Sequence, residues 1–162
     1  ANPGKLRLVF KHFPMNADCN THVTARTHAG SCAAAVTAEA MRALGGEEAF
    51  WKMHDELFAN QAAFARRPKV VLQEAAGKLG LDTDAIWSKI NTTSAWDRVR
   101  RHTDQGHAVG VKATPTVFYD GRKVEGYASS KFWDFLFFLD RQKEREQHAA
   151  TRPATRPTTR PM

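Results

Sequence analysis

The chain has 162 residues, enough for one domain with a real core. Its most apolar stretch, residues 132–139, carries Asp134 and is far too short to cross a membrane as a helix. Net charge is +7, but Arg152, Arg156 and Arg160 of the terminal TRPATRPTTRPM contribute to it, and the body is left near +4 with acids and bases interspersed. No basic stripe interleaved with aromatic residues appears, so the charge reads as a solvated surface plus a basic tail and no specific nucleic acid is expected as a partner; a basic adhesion or nucleic-acid module working through the tail is a distant alternative.

The first residue is Ala rather than Met and no signal peptide opens the sequence, so targeting information is expected to lie outside it. Residues 6–13, LRLVFKHF, alternate apolar and basic positions and read as a strand. A polar loop rich in Asn, Asp and Thr follows. SCAAAVTAEAMRALGG reads as an Ala-dominated helix that Gly45 or Gly46 stops. EEAFWKMHDELFANQ reads as a second helix, with Phe50, Trp51, Met53, Leu57 and Phe58 on its candidate buried face.

Pro68 opens a third helix, PKVVLQEAAGKLG. LDTDAIWSKINT is a short helix capped by Asp82 or Thr83. SAWDRVRRHTDQGHAVG follows, with Ser94 and Asp97 spaced as a capping pair. Val117, Phe118 and Tyr119 then form a β-prone run, Asp120-Gly121 is a strong hairpin signal, and Arg122 to Val124 return as the partner strand. A last helix starts at Ser129 or Ser130. The T-R-P repeats beyond it have nothing to bury and are expected to be disordered.

Pro115 stands between two threonines at the mouth of the first hairpin strand, where a missing N–H does least harm. It either simply starts an edge strand or forms a cis corner whose neighbouring N–H and C=O groups face an extended peptide.

Cys19 and Cys32 flank His22 and His28 in a C-x2-H-x5-H-x3-C pattern. Three readings stay open: a structural disulfide tying the loop to the Ala-rich helix, a zinc site using Cys19, His22, His28 and Cys32, or an auxiliary redox pair. The central five-residue spacing matches no common zinc pattern. His54, beside Trp51 and Asp55, reads as a packed, hydrogen-bonded side chain. His12, His102, His107 and His148 show no partner constellation. Trp51, Trp87, Trp96 and Trp133 are spaced as core residues of separate helices. No Ser/His/Asp order, phosphate loop or dinucleotide fingerprint occurs.

GKLRLVFKHFPM, SCAAAVTAEA, FWKMHDELFANQ and GVKATPTVFYDGRKVEGY, in this order and spacing, resemble the DsbA-like thioredoxin-fold thiol–disulfide oxidoreductases. The resemblance runs from about Lys5 to the final helix. It implies an α/β fold, a thioredoxin-like sheet with a helical insertion. It also implies that Pro115 is the family's cis-proline, with Ala113, Thr114, Pro115 and Thr116 as the substrate-binding loop. The pattern departs at one place. The family's strand and C-x-x-C helix should precede GKLRLVF, yet only four residues precede Lys5 and no C-x-x-C occurs. The fold is therefore expected to be N-terminally incomplete, with no catalytic residue in this chain.

The domain is expected over residues 1–148, without its first strand and C-x-x-C helix, and a Thr/Arg/Pro tail over 149–162. The resemblance implies a part of an extracytoplasmic enzyme of the periplasm or cell envelope. That enzyme would exchange disulfides with cysteine-containing proteins, need no dissolved cofactor and be recycled by a membrane-bound redox partner. A non-catalytic thioredoxin-like module that binds peptides at the proline loop is the alternative. Cys19 and Cys32 are expected to form a structural disulfide, because thirteen positions suit bracing better than turnover.

Overall fold

The computed structural model describes residues 6–28, 30–125 and 129–151, with the side chains of 148–150 left out. The chain divides into two compact units, Ala1–Thr114 and Pro115–Met162. The first is helical; the second holds a hairpin and a helix.

Helix α1, Ser31–Ala59, is the axis of the first unit. Gly46 interrupts it with φ 69° and ψ −159°, so the chain kinks there and both expected helices run into one another. Glycine alone reaches such a backbone without strain. Gly45 is constrained differently: a Cβ there would lie 2.6 Å from the Ala49 Cβ. Phe50, Met41 and Met53, fully buried on α1, meet Leu72 of α3 (Pro68–Lys78) and Ile86 of α4 (Thr83–Ile90) in the main core. A short helix α2, Gln61–Arg66, which the sequence pattern did not single out, buries Phe64 against the same cluster.

Asp82 caps α4, its Oδ1 accepting from the Asp84 N–H at 3.0 Å. Asp82→Ala should therefore cost about 1 kcal/mol in urea denaturation. The capping pair expected at Ser94 and Asp97 does not form. Helix α5, Thr93–Ala108, starts after Thr92. Ser94 already lies inside it, and Asp97 pairs with Arg100 at 3.2 Å instead. Thr92 Oγ1 donates to the Lys89 carbonyl at 2.7 Å, which fixes the turn without a side-chain cap.

In the second unit β1, Val117–Tyr119, pairs antiparallel with β2, Arg122–Val124, in the register Val117↔Val124. The turn places Asp120 and Gly121 at φ 48° and 74°, the left-handed pair that a two-residue hairpin requires. Helix α6, Ser130–Thr151, lays Trp133 and Phe137 beside Tyr119. The Tyr119 hydroxyl donates to Asp140, and that bond first, with burial, holds the phenol up at about 12. The helix runs past residue 148, where the domain boundary was expected. The T-R-P repeats after it lie outside the described residues.

Residues 6–13 correct one expectation: they join no ladder among the described residues. Leu6, Leu8 and Val9 are exposed, whereas His12 is buried. Alternation specifies a half-buried surface, but a strand also needs a neighbour to bond its backbone.

Candidate functional site

The bend from α5 into β1 carries the expected peptide loop. Ala113, Thr114 and Pro115 are exposed and Thr116 is half-buried. The two compact units meet in sequence between Thr114 and Pro115.

Cys19 and Cys32 are joined in a disulfide, with their Cα atoms 5.8 Å apart, inside the usual range. Both are buried, in a small cluster with Ala35 and Val36 of α1 and Ala95 and Val99 of α5. The bond ties the polar loop to the start of α1. Two buried asparagines order the loop around it. Asn20 Nδ2 donates to the Pro14 carbonyl at 2.9 Å, and Asn16 Oδ1 accepts from the Asp18 N–H at 2.8 Å.

With the sulfurs bonded to each other, the zinc set Cys19, His22, His28 and Cys32 offers no thiolate. Its histidines are engaged elsewhere or turned out. His22 Nε2 lies 2.7 Å from Asp104 Oδ1, with the imidazole stacked on His107 at 4.0 Å. His28 is exposed, at φ 58°. His54 is a packed residue, 5.1 Å from the Trp51 ring and hydrogen-bonded to Asp55 at 2.9 Å.

Sequence reasoning missed the polar centre of the first unit, since it found no partners for His12 and His102. Glu39, on α1, is buried among apolar neighbours. Its Oε1 accepts from His12 Nε2 at 3.0 Å. Its Oε2 accepts from Arg42 Nε at 3.1 Å and forms an ion pair with Arg98, whose Nε lies 3.3 Å away. Arg42 also lies over the Phe50 ring, 3.6 Å from its centroid. The backbone N–H of His12 donates to His102 Nδ1 at 3.3 Å. The network thus joins residues 6–13 to α1 and α5.

Burial alone would raise the Glu39 pKa, but the His12 hydrogen bond and the charges of His12, Arg42 and Arg98 outweigh it and hold the carboxyl low. Burial first, then the positive charge at His12 and Lys11, pushes His102 down to about 4. The one available signal was an acidic residue inside the apolar run AAAVTAEAMRA. Its partners are too distant in sequence to be read from it.

Ligand-capable atoms of His12, Glu39 and His102 all lie within 4.8 Å of one another. The hydrogen bonding does not suit a cation. A backbone donor takes His102 Nδ1, which leaves the ring proton on Nε2, and two guanidinium groups already neutralise the carboxylate. The arrangement is a buried ion-pair network.

The chain matches the family described as DSBA-like thioredoxin domain over residues 3–136. It belongs to that family, and its fold is of the α/β, DsbA-like thioredoxin class. Curated relatives include proteins named Na(+)/H(+) antiporter NhaA 1 of Salinispora arenicola and Na(+)/H(+) antiporter NhaA of Herminiimonas arsenicoxydans. The first is 32% identical over 121 residues, 75% of this chain and 16% of the relative. The second is 31% identical over 116 residues, 72% of this chain and 18% of the relative. The chain thus spans about a sixth of the length of these relatives. No solved structure matches. Among the described residues no helix is long and apolar enough to cross a membrane.

Proposed function

We propose that this chain is the peptide-holding part of an extracytoplasmic thiol–disulfide oxidoreductase. Family membership, with the exposed bend Ala113-Thr114-Pro115 leading into β1, is the observation that carries the reading. In it, Thr114-Pro115 is cis, and the backbone from Ala113 to Thr116 pairs with an extended segment of a cysteine-containing protein. The attacking and resolving thiols come from a C-x-x-C unit outside this chain. A thiolate there attacks a substrate disulfide, one sulfur leaves as thiolate, and the second thiol releases the mixed disulfide. A membrane-bound partner restores the redox state of the pair, and no dissolved cofactor is needed. The antiporter relatives share only a sixth of their length with this chain, so the domain chemistry is carried over and ion transport is not.

Cys19 and Cys32 act as a brace in this scheme. They are joined and buried, whereas a working dithiol has to be reached by its substrate. The purified chain should accordingly give no insulin reduction above the dithiothreitol background. The same chain preceded by a strand and a C-x-x-C helix should turn over. Turnover by the 162-residue chain itself would overturn the reading.

One observation favours a second reading, a peptide-binding module without catalysis: the chain's two cysteines are both consumed by the brace. The coding sequence immediately upstream of Ala1 separates the two. A strand followed by C-x-x-C supports the enzyme, and a start codon or signal peptide directly before Ala1 supports the binder.

A further inference from the structure

Three contacts fasten residues 11–13 to one face of α5. The His12 N–H donates to His102 Nδ1 at 3.3 Å. Lys11 Nζ donates to Gln105 Oε1 at 2.9 Å. Phe13 lies so close to Gly106 that a Cβ there would sit 2.7 Å from its ring. Positions 102, 105 and 106 share one helix face by their i, i+3, i+4 spacing. Of the three contacts, only the first is buried and depends on a protonation state.

His102 can accept that bond through Nδ1 only while its ring is neutral. A protonated imidazole carries a hydrogen on both nitrogens, so Nδ1–H would point at the His12 N–H, donor against donor. The surroundings oppose the charge as well. Lys11 and His12 face the ring from residues 6–13 and Arg98 from its own helix; Glu39 of α1 favours the charge, yet its carboxylate is already shared among His12, Arg42 and Arg98. Once residues 11–13 leave α5, the ring reaches water and is free to protonate.

We infer that His102 and the His12 backbone form an acid-released latch, which holds residues 11–13 on α5 at neutral pH and lets them leave that helix in acid without unfolding of the helical core. The inference stands on the geometry of these groups and does not rest on the proposed redox function.

Native-state hydrogen exchange at single amides tests it, with rates referenced to the intrinsic rate at each pH. A ring that titrates at 6.5 when released and at about 4 when latched lowers the protection of the His12 amide about 30-fold between pH 7.5 and pH 5. In low urea at pH 5, exchange of that amide should be nearly independent of urea, the mark of a local opening, while the buried amides of Met41 and Phe50 accelerate with urea. His102→Gln offers an uncharged acceptor and should cut the pH effect to less than about threefold, as expected of a group that no longer titrates. The inference fails if the His12 amide follows urea in parallel with Met41 and Phe50, because detachment would then need whole-unit unfolding. It also fails if His102→Gln retains the full pH effect. Should that variant not fold, the urea comparison on the unaltered chain decides alone.

Discussion

Glu39→Ala should destabilise the helical unit by about 3–5 kcal/mol, the range for removing one partner of a buried ion pair. Glu39 is the single acceptor on which His12, Arg42 and Arg98 converge, and its side chain is almost inaccessible. Without it, His12 loses its acceptor and Arg98 its ion-pair partner, and the Arg42 guanidinium over Phe50 is left with Glu47 to neutralise it. The intact protein should also lose stability on acidification. Folding depresses His102 from 6.5 to about 4, so between those values the unfolded chain takes up a proton that the folded one refuses. The stabilisation is complete above pH 6.5 and falls by up to about 3 kcal/mol as pH approaches 4. Glu39, also lowered, adds loss of the same sign below its ordinary value of 4.5. Urea titrations at pH 7.5, 6, 5 and 4 measure both effects, and a stability that rises toward pH 5 would contradict this account.

Replacing Cys19 and Cys32 together by alanine should lower stability by about 3 kcal/mol, the loop-closure value for a separation near 15 residues. The bridge spans a sequence separation of 13 and packs against Ala95 and Val99 of α5. Its loss frees the loop that the two buried asparagines order from within. The expected pattern is a lower denaturation midpoint with peptide binding at the proline loop kept. Retained stability with lost exchange activity, measured in a polypeptide that includes the C-x-x-C unit, would move the pair into a redox role.

The helices were legible because each carried its own punctuation: Pro68 at a start, Asp82 as a cap, Gly46 at the kink. The hairpin was legible for the same reason, since Asp120-Gly121 dictates its turn. Residues 6–13 were misread because alternation is a local property, whereas a ladder depends on a neighbour that no local pattern names. The Ser94 and Asp97 spacing suited a capping box, but Thr92 set the helix start two residues earlier and left both side chains within the helix. The proline loop and the two cysteines stood out as rare residues in distinctive contexts. The Glu39 network did not, because its members come from residues 6–13, α1 and α5, and only folding brings them together.

The claim that Ala113 to Thr116 hold an extended peptide is tested most directly by titrating the isotope-labelled chain with a cysteine-containing extended peptide and following its amide resonances. Saturable shifts should appear at Ala113, Thr114, Thr116 and Val117, and Pro115→Ala should weaken binding by tenfold or more, about 1.4 kcal/mol. Shifts confined to the surfaces of α1 to α4, or none up to the solubility limit of the peptide, would contradict it.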